Sequence, residues 1–137
     1  MIQYTESLDG IEPEHLTGFF DGWGDPPSAE VHLRLLKASD HVLLALDDEA
    51  GRVVGFVTAV SDGVLSAYIP LLEVLPTYRG RGIGHELIRR MLVALSHLYM
   101  VDLACDEEMC GFYKALGFAR AGGTLLRNLD RQSGRQT

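Results

Sequence analysis

The residues best placed for chemistry lie between Val74 and Gly84, in the stretch VLPTYRGRGIG. Arg79 and Arg81 alternate with Gly80 and Gly82, and Ile83 and Gly84 open a long apolar stripe of helical period. A strand that runs into glycines and then a helix leaves the first turn's N–H groups unpaired, with the positive end of the helix dipole behind them. Such a turn binds an anion. Glycine lets the backbone come close to a phosphate, and two guanidinium groups can share the charge of a diphosphate. The dinucleotide fingerprint G-x-G-x-x-G is not completed here, and no lysine or hydroxyl follows Gly84 as a P-loop requires.

Other candidates are less specific. Glu73 sits on the strand that leads into the glycines, and Tyr113 shares an apolar stripe with Met109, Phe112 and Leu116, which suits a core tyrosine. Phe19, Phe20, Trp23 and His32 are aromatic groups near the start of the chain that either line a substrate pocket or pack. His32, on a helix, reads as a surface or capping histidine. The five histidines show no metal-ligand spacing, so no metal is expected. Cys105 and Cys110 suit buried apolar positions or a thiol flanking a helix rather than a zinc site or a disulfide framework.

The elements that must position these residues follow from pattern. A short strand is expected over Ile2 to Ser7, then a helix from Pro13 with Leu16, Phe19 and Phe20 on one face. DGWGDPPS is loop, and Ser28 caps a second helix that runs to Ala38. HVLLALD, RVVGFVTAV and VLSAYIPLLEV are apolar runs divided by the turn sequences DEAG and SDG, an antiparallel meander. Pro70 is awkward there, because proline cannot donate to a ladder. Ile83, Leu87, Ile88, Met91, Leu92, Leu95 and Leu98 mark an amphipathic helix that packs on the sheet. YMVDLAC reads as a strand, Asp106 as the cap of a last helix ended by Gly117, and GTLLRN as a final strand. The class is α/β with a mixed sheet.

With 137 residues, 47% of them hydrophobic and 23% charged, the chain reads as one globular domain, 1–137, with residues 128–137 a polar tail free to fray. A formal charge of −7 argues against a nucleic-acid partner and favours a cationic one such as an amine. MIQYTESLDG has no basic and then apolar leader pattern, and no apolar run is long enough to cross a bilayer. A cytoplasmic protein without membrane attachment is expected, as a monomer or a homodimer.

The glycine stretch resembles the coenzyme A signature of the GCN5-related N-acetyltransferase (GNAT) superfamily, [RQ]-x-x-G-x-[GA] after a strand ending in V-x-P. Here that pattern is Val74, Leu75 and Pro76, followed by Arg79, Gly82 and Gly84. FYKALGF, Phe112 to Phe118, is similar to the family's second motif. The likeness covers His41 to Arg127, and the first forty residues only by element order. It implies a single-domain fold with a mixed central sheet whose fourth and fifth strands splay apart, flanked by helices.

It also implies acetyl-CoA as co-substrate, held by Glu73, Val74, Arg79, Gly80, Arg81, Gly82, Ile83, Gly84 and Asp106, the backbone N–H groups of Glu73 and Val74 facing the gap between the strands. Family members often have an asparagine at the position of Asp106, and helix capping accounts for the aspartate without a ligand. Tyr113 matches the tyrosine that protonates the coenzyme's sulfur in many members, and Glu73 is the candidate base for the amine, unless it only attracts the amine's charge. The activity implied is N-acetyl transfer to a primary amine of a small molecule or peptide. The alternative is a catalytically silent module that binds or senses acyl-CoA.

Overall fold

The computed structural model describes residues 1–136. Five strands form one sheet in the order β1 (Ile2–Thr5), β2 (His41–Asp47), β3 (Arg52–Ser61), β4 (Ser66–Val74) and β5 (Met100–Asp102). The first four are antiparallel neighbours, and β5 runs parallel to β4. Three α-helices accompany them: α1 (Ala29–Ala38), α2 (Ile83–Ala94) and α3 (Cys110–Ala115). Among the described residues no helix is long and apolar enough to cross a membrane.

The two faces of the sheet carry different layers. α2 lays Ile83, Leu87, Ile88 and Met91 on one face, all buried, as its apolar period requires. Gly55 on β3 permits that close approach, since a Cβ there would stand 3.1 Å from Leu87 Cδ1 and 3.2 Å from Ile83 Cγ2. The opposite face is covered by α1, whose N-cap Ser28 accepts a hydrogen bond from the Val31 N–H, and by the segment between β1 and α1. There Phe56 of β3 meets Phe19, Phe20 and His32 in edge-on and tilted ring contacts with centroids 4.4–6.1 Å apart.

Several expectations are corrected. Only one 3-10 turn, Pro13–Leu16, forms where a first helix was expected. Gly18, with a φ of 91°, helps explain the stop, and Phe19 and Phe20 are buried from the loop beyond it. α2 ends at Ala94, although Leu95 and Leu98 remain buried below it. β5 is shorter than YMVDLAC. GTLLRN pairs with nothing in the sheet. Of the tail expected to fray, residue 137 lies outside the described residues and the part before it is tied down: Leu129–Arg131 forms a 3-10 turn, the Asp25 N–H donates to Gln132 at 2.7 Å, and Arg34 donates to the Gly134 carbonyl at 2.6 Å. Cys105 is exposed and Cys110 half-buried, so neither is core.

Candidate active site

The sheet opens where β4 leaves β5. Ser66, Ala67 and Tyr68 pair with Met100, Val101 and Asp102, and β4 then continues to Val74 with no strand beside it on that side. Pro70 sits at the start of this unpaired stretch. The register against β3 slips by one residue at the same place, Thr58 pairing with Leu71 and Val60 with Tyr68. A bulge of this kind turns a strand and absorbs the missing donor of proline.

Which backbone groups face the gap follows from alternation. Leu75 N–H donates to the Val54 carbonyl at 2.8 Å, so Leu75 and Glu73 turn their N–H groups toward β3. The gap therefore receives the N–H groups of Leu72 and Val74. Glu73, expected to present its N–H there, presents it to β3, and Leu72 takes the second place. The Val74 carbonyl is occupied by Arg79 Nε at 3.0 Å.

Just past Val74 the chain makes the glycine turn. Gly80 and Gly82 have φ values of 77° and 81°, Gly82 being the N-cap of α2, and a Cβ on either would meet nothing within 4 Å. The open backbone is a cradle of the kind that a diphosphate fills. Glu86 N–H is the first to close the helix, on the Gly82 carbonyl at 3.1 Å, and among the described residues no acceptor pairs with the N–H groups of Ile83, Gly84 or His85. Arg81 lies over the Tyr78 ring at 4.9 Å with its guanidinium on the Thr77 carbonyl at 3.2 Å, and Arg79 reaches Asp21 at 3.8 Å.

α3 closes the same end of the gap. A Cβ on Gly84 would stand 3.7 Å from Phe112 Cζ and 3.8 Å from Val74 Cγ2, which places the start of α2, the end of β4 and α3 together. Tyr113, next to Phe112, is 8% exposed, with its ring edge-on to Phe112 and Phe118. Burial pushes its phenol up to about 12, so it stays protonated at neutral pH. Asp106 precedes α3 as expected, but its side chain caps nothing; its carbonyl accepts the Met109 N–H at 2.9 Å.

Glu73 points to the other face, beside Phe56, its cross-strand partner. One carboxylate oxygen, Oε1, accepts the N–H of Phe20 at 2.7 Å and of Asp21 at 3.1 Å. Burial pulls its pKa above the ordinary glutamate value, and these two hydrogen bonds and the Arg79 charge oppose the shift. Phe20 has a φ of 65°, the one non-glycine residue with positive φ among those described, so the carboxylate holds a strained backbone in place.

On that face lies a pocket of about 300 Å³ walled by Phe20, Trp23, Val31, Leu35 and Leu71, with Arg34 and Gln132 at its edge. Leu71 is two positions from Glu73 on the same side of β4. Of the four residues expected to line a pocket, Phe20 and Trp23 do. Phe19 and His32 do not. His32 is 1% exposed, inside the ring cluster rather than on the surface, and neither of its ring nitrogens has a hydrogen-bond partner among the described residues. Its pKa falls to about 4 for want of solvent. Val31, Leu35, Leu71 and Gln132 were not foreseen. Val31 and Leu35, half-buried four residues apart on α1, carried a faint signal; the tail residue carried none.

The described residues contain no group of three or more His, Cys, Asp or Glu side chains that could hold a metal ion. An open strand edge and a glycine-capped helix start meet Phe112, whose neighbour Tyr113 carries a buried phenol, and an apolar pocket with a carboxylate lies on the far side of the strand.

The chain belongs to the acetyltransferase (GNAT) family, whose model matches residues 8–118. Serotonin N-acetyltransferase 2, chloroplastic, from Oryza sativa subsp. japonica is 32% identical over 118 residues, 82% of this chain and 59% of that protein. The chain thus spans about three fifths of that relative's length. A crystal structure from Deinococcus radiodurans R1, described as a candidate acetyltransferase, is 46% identical with a TM-score of 0.95, covering 99% of this chain and 94% of that one. A GNAT-family acetyltransferase from Streptococcus pneumoniae TIGR4 is 31% identical with a TM-score of 0.75, covering 93% and 98%.

Proposed function

We propose that this protein transfers an acetyl group from acetyl-CoA to a primary amine whose body is apolar, by direct attack of the amine on the thioester. The observation that carries the reading is the junction of the open β4 edge with the glycine turn. Leu72 and Val74 offer N–H groups along the gap, and among the described residues the N–H groups of Ile83, Gly84 and His85 stand unpaired at the next turn of chain. These groups suit an extended ligand with a diphosphate at one end, and coenzyme A supplies that diphosphate together with an activated acyl group. Arg79 and Arg81 add charge at the diphosphate end.

The remaining roles fall to this chain's own side chains. The Val74 N–H is placed to hold a carbonyl oxygen as it gains negative charge. Tyr113 keeps its proton and is matched to a departing thiolate, to which a phenol can donate as the charge develops. Glu73 Oε1 is committed to the Phe20 loop, so the proton of the amine goes to Oε2, directly or through water. The pocket walled by Phe20, Trp23, Val31, Leu35 and Leu71 favours an acceptor with a flat apolar body, in keeping with the name of the rice relative.

The test is thiol release from acetyl-CoA with two panels of primary amines, arylalkyl and polar aliphatic, alongside calorimetry with coenzyme A alone. Amine-dependent release that favours the arylalkyl panel is expected. Coenzyme A binding without amine-dependent release would leave a binding module, and absence of binding to coenzyme A would end the proposal.

A further inference from the structure

The two cysteines of the chain meet at the start of α3. Asp106 is the N-cap of the turn Glu107–Met109, which runs directly into α3 at Cys110. Counted from that cap, Cys105 is the residue just before the first turn and Cys110 is the fourth residue after the cap. These are the two positions whose side chains pack against each other across a helix start. Helical side chains also lean toward the N-terminus of their helix, and Cys110 does so: its thiol donates to the Asp106 carbonyl at 4.0 Å, one residue from Cys105. Both cysteines are free, Cys105 exposed and Cys110 half-buried.

The electrostatics of the two thiols agree with that contact. Partial burial of its sulfur, a hydrogen bond to the Cys110 sulfur and the charges of Cys110 and Asp106 push the Cys105 pKa up, and the Arg120 guanidinium opposes them. Tyr113, whose pKa is raised chiefly by burial, also feels the Cys105 charge, and it lies three residues beyond Cys110 on the same side of α3. One sulfur is thus open to solvent and the other stands behind it. Disulfide exchange needs that arrangement: an accessible thiol to engage an incoming disulfide, and a neighbour to resolve the mixed disulfide that results.

The geometry points to Cys105 and Cys110 as a reversible disulfide site, closed by exchange with a low-molecular-weight disulfide. Cys105 loses its proton and, as thiolate, attacks one sulfur of that disulfide. The S–S bond of the reagent breaks, one small thiol leaves and takes up a proton, and a mixed disulfide remains on Cys105. Cys110 then gives up its proton and attacks the Cys105 sulfur, expelling the second small thiol. The protein loses two electrons and two protons, and the small disulfide gains both. The new bond ties the chain that enters α3 to the start of the helix, just ahead of Phe112 and Tyr113. This inference is independent of the acetyl-transfer reading.

Equilibration of the intact native chain with glutathione disulfide tests it, read by free-thiol titration after an acid quench and by intact mass. Both thiols should be lost together, the mass should fall by two hydrogens with no glutathione retained, and dithiothreitol should restore both thiols. Cys110→Ser should stop the reaction halfway, with glutathione left on Cys105; circular dichroism verifies its fold, and the unaltered chain carries the test where that variant fails to fold. The same equilibrium in urea separates the fold from mere closeness in sequence: the disulfide should be favoured by about tenfold or more in the folded chain over the unfolded one. Glutathione that stays on both cysteines, a bond between two chains, thiols that do not react, or a disulfide no more stable in the folded chain than in urea overturns the inference.

Discussion

The Glu73 carboxylate holds the backbone of Phe20 at 2.7 Å, across 53 residues of sequence, and thereby joins the strand that ends at the glycine turn to the loop that walls the apolar pocket. The same loop reaches Arg79 through Asp21. A change at Glu73 or Arg79 is therefore felt in the shape of the pocket.

Two substitutions separate the two duties of Glu73. Glu73→Gln keeps an oxygen for the Phe20 and Asp21 N–H groups but cannot take a proton. It should lower kcat by about a hundredfold or more, as loss of a general base does, with the acceptor KM little changed. Glu73→Ala also leaves the strained Phe20 loop unheld; it should raise the acceptor KM and cost about 1–3 kcal/mol in denaturant unfolding. A Gln variant with full kcat would reduce Glu73 to a clasp.

The pH dependence of the same group has a fixed sign. Burial raises its folded pKa above the unfolded value, so the contribution to stability is full at acid pH and is lost as pH rises through the folded value. The acid limb of kcat/KM for the acceptor should accordingly lie above the ordinary glutamate range, and it should vanish in Glu73→Gln. A pH profile of both proteins measures it.

Tyr113→Phe removes one oxygen from a ring packed against Phe112 and Phe118. No described residue hydrogen-bonds that hydroxyl, so unfolding temperature and coenzyme A affinity should stay near those of the parent. If the phenol feeds its proton to the thiolate, kcat falls by about a hundredfold. Equal kcat in the two proteins would make Tyr113 a core residue only.

The parts of this fold that were plain in the sequence are those where one local rule acts alone. The three meander strands follow from apolar runs between turn sequences, and α2 from a stripe of seven apolar residues. Glycines and arginines at fixed spacing marked the turn before α2 because short-range backbone geometry dictates the use of glycine there. The Glu73 to Phe20 hydrogen bond was not visible, since nothing local says which distant N–H a strand carboxylate meets. His32 was misjudged for a related reason: a polar side chain on a helix reads as exposed, and here its ring fills a site among three phenylalanines. GTLLRN has the composition of a strand, but composition does not state whether a partner edge lies within the same chain.

Two glycines of the turn should respond differently to alanine. Gly82 has a φ of 81°, where a Cβ is strained whatever the space, so Gly82→Ala should cost about 1 kcal/mol and weaken coenzyme A binding with it. Gly84 is helical, and its Cβ would make ordinary contacts with Phe112 and Val74. Gly84→Ala should preserve binding and raise stability by up to about 1 kcal/mol through helix propensity. Calorimetric titration and urea unfolding of the pair decide the matter; loss of folding in Gly84→Ala would show that α3 lies closer than the contacts indicate.

His32 supplies a stability test apart from catalysis. Its folded pKa of about 4 lies below the ordinary histidine value because the ring is buried and unpaired. The unfolded chain therefore binds the extra proton first, so the native state is favoured above the unfolded pKa and loses that advantage as pH falls from about 6.5 toward 4, by up to about 3 kcal/mol. His32→Leu removes both the titration and two unsatisfied nitrogens while keeping an apolar side chain of similar size among Phe19, Phe20 and Phe56. Thermal unfolding at pH 7 and pH 5 should show the parent losing stability on acidification and the variant losing much less. A variant that tracks the parent at both pH values would mean that water reaches the histidine, and that the ring cluster on this face opens more readily than its packing implies.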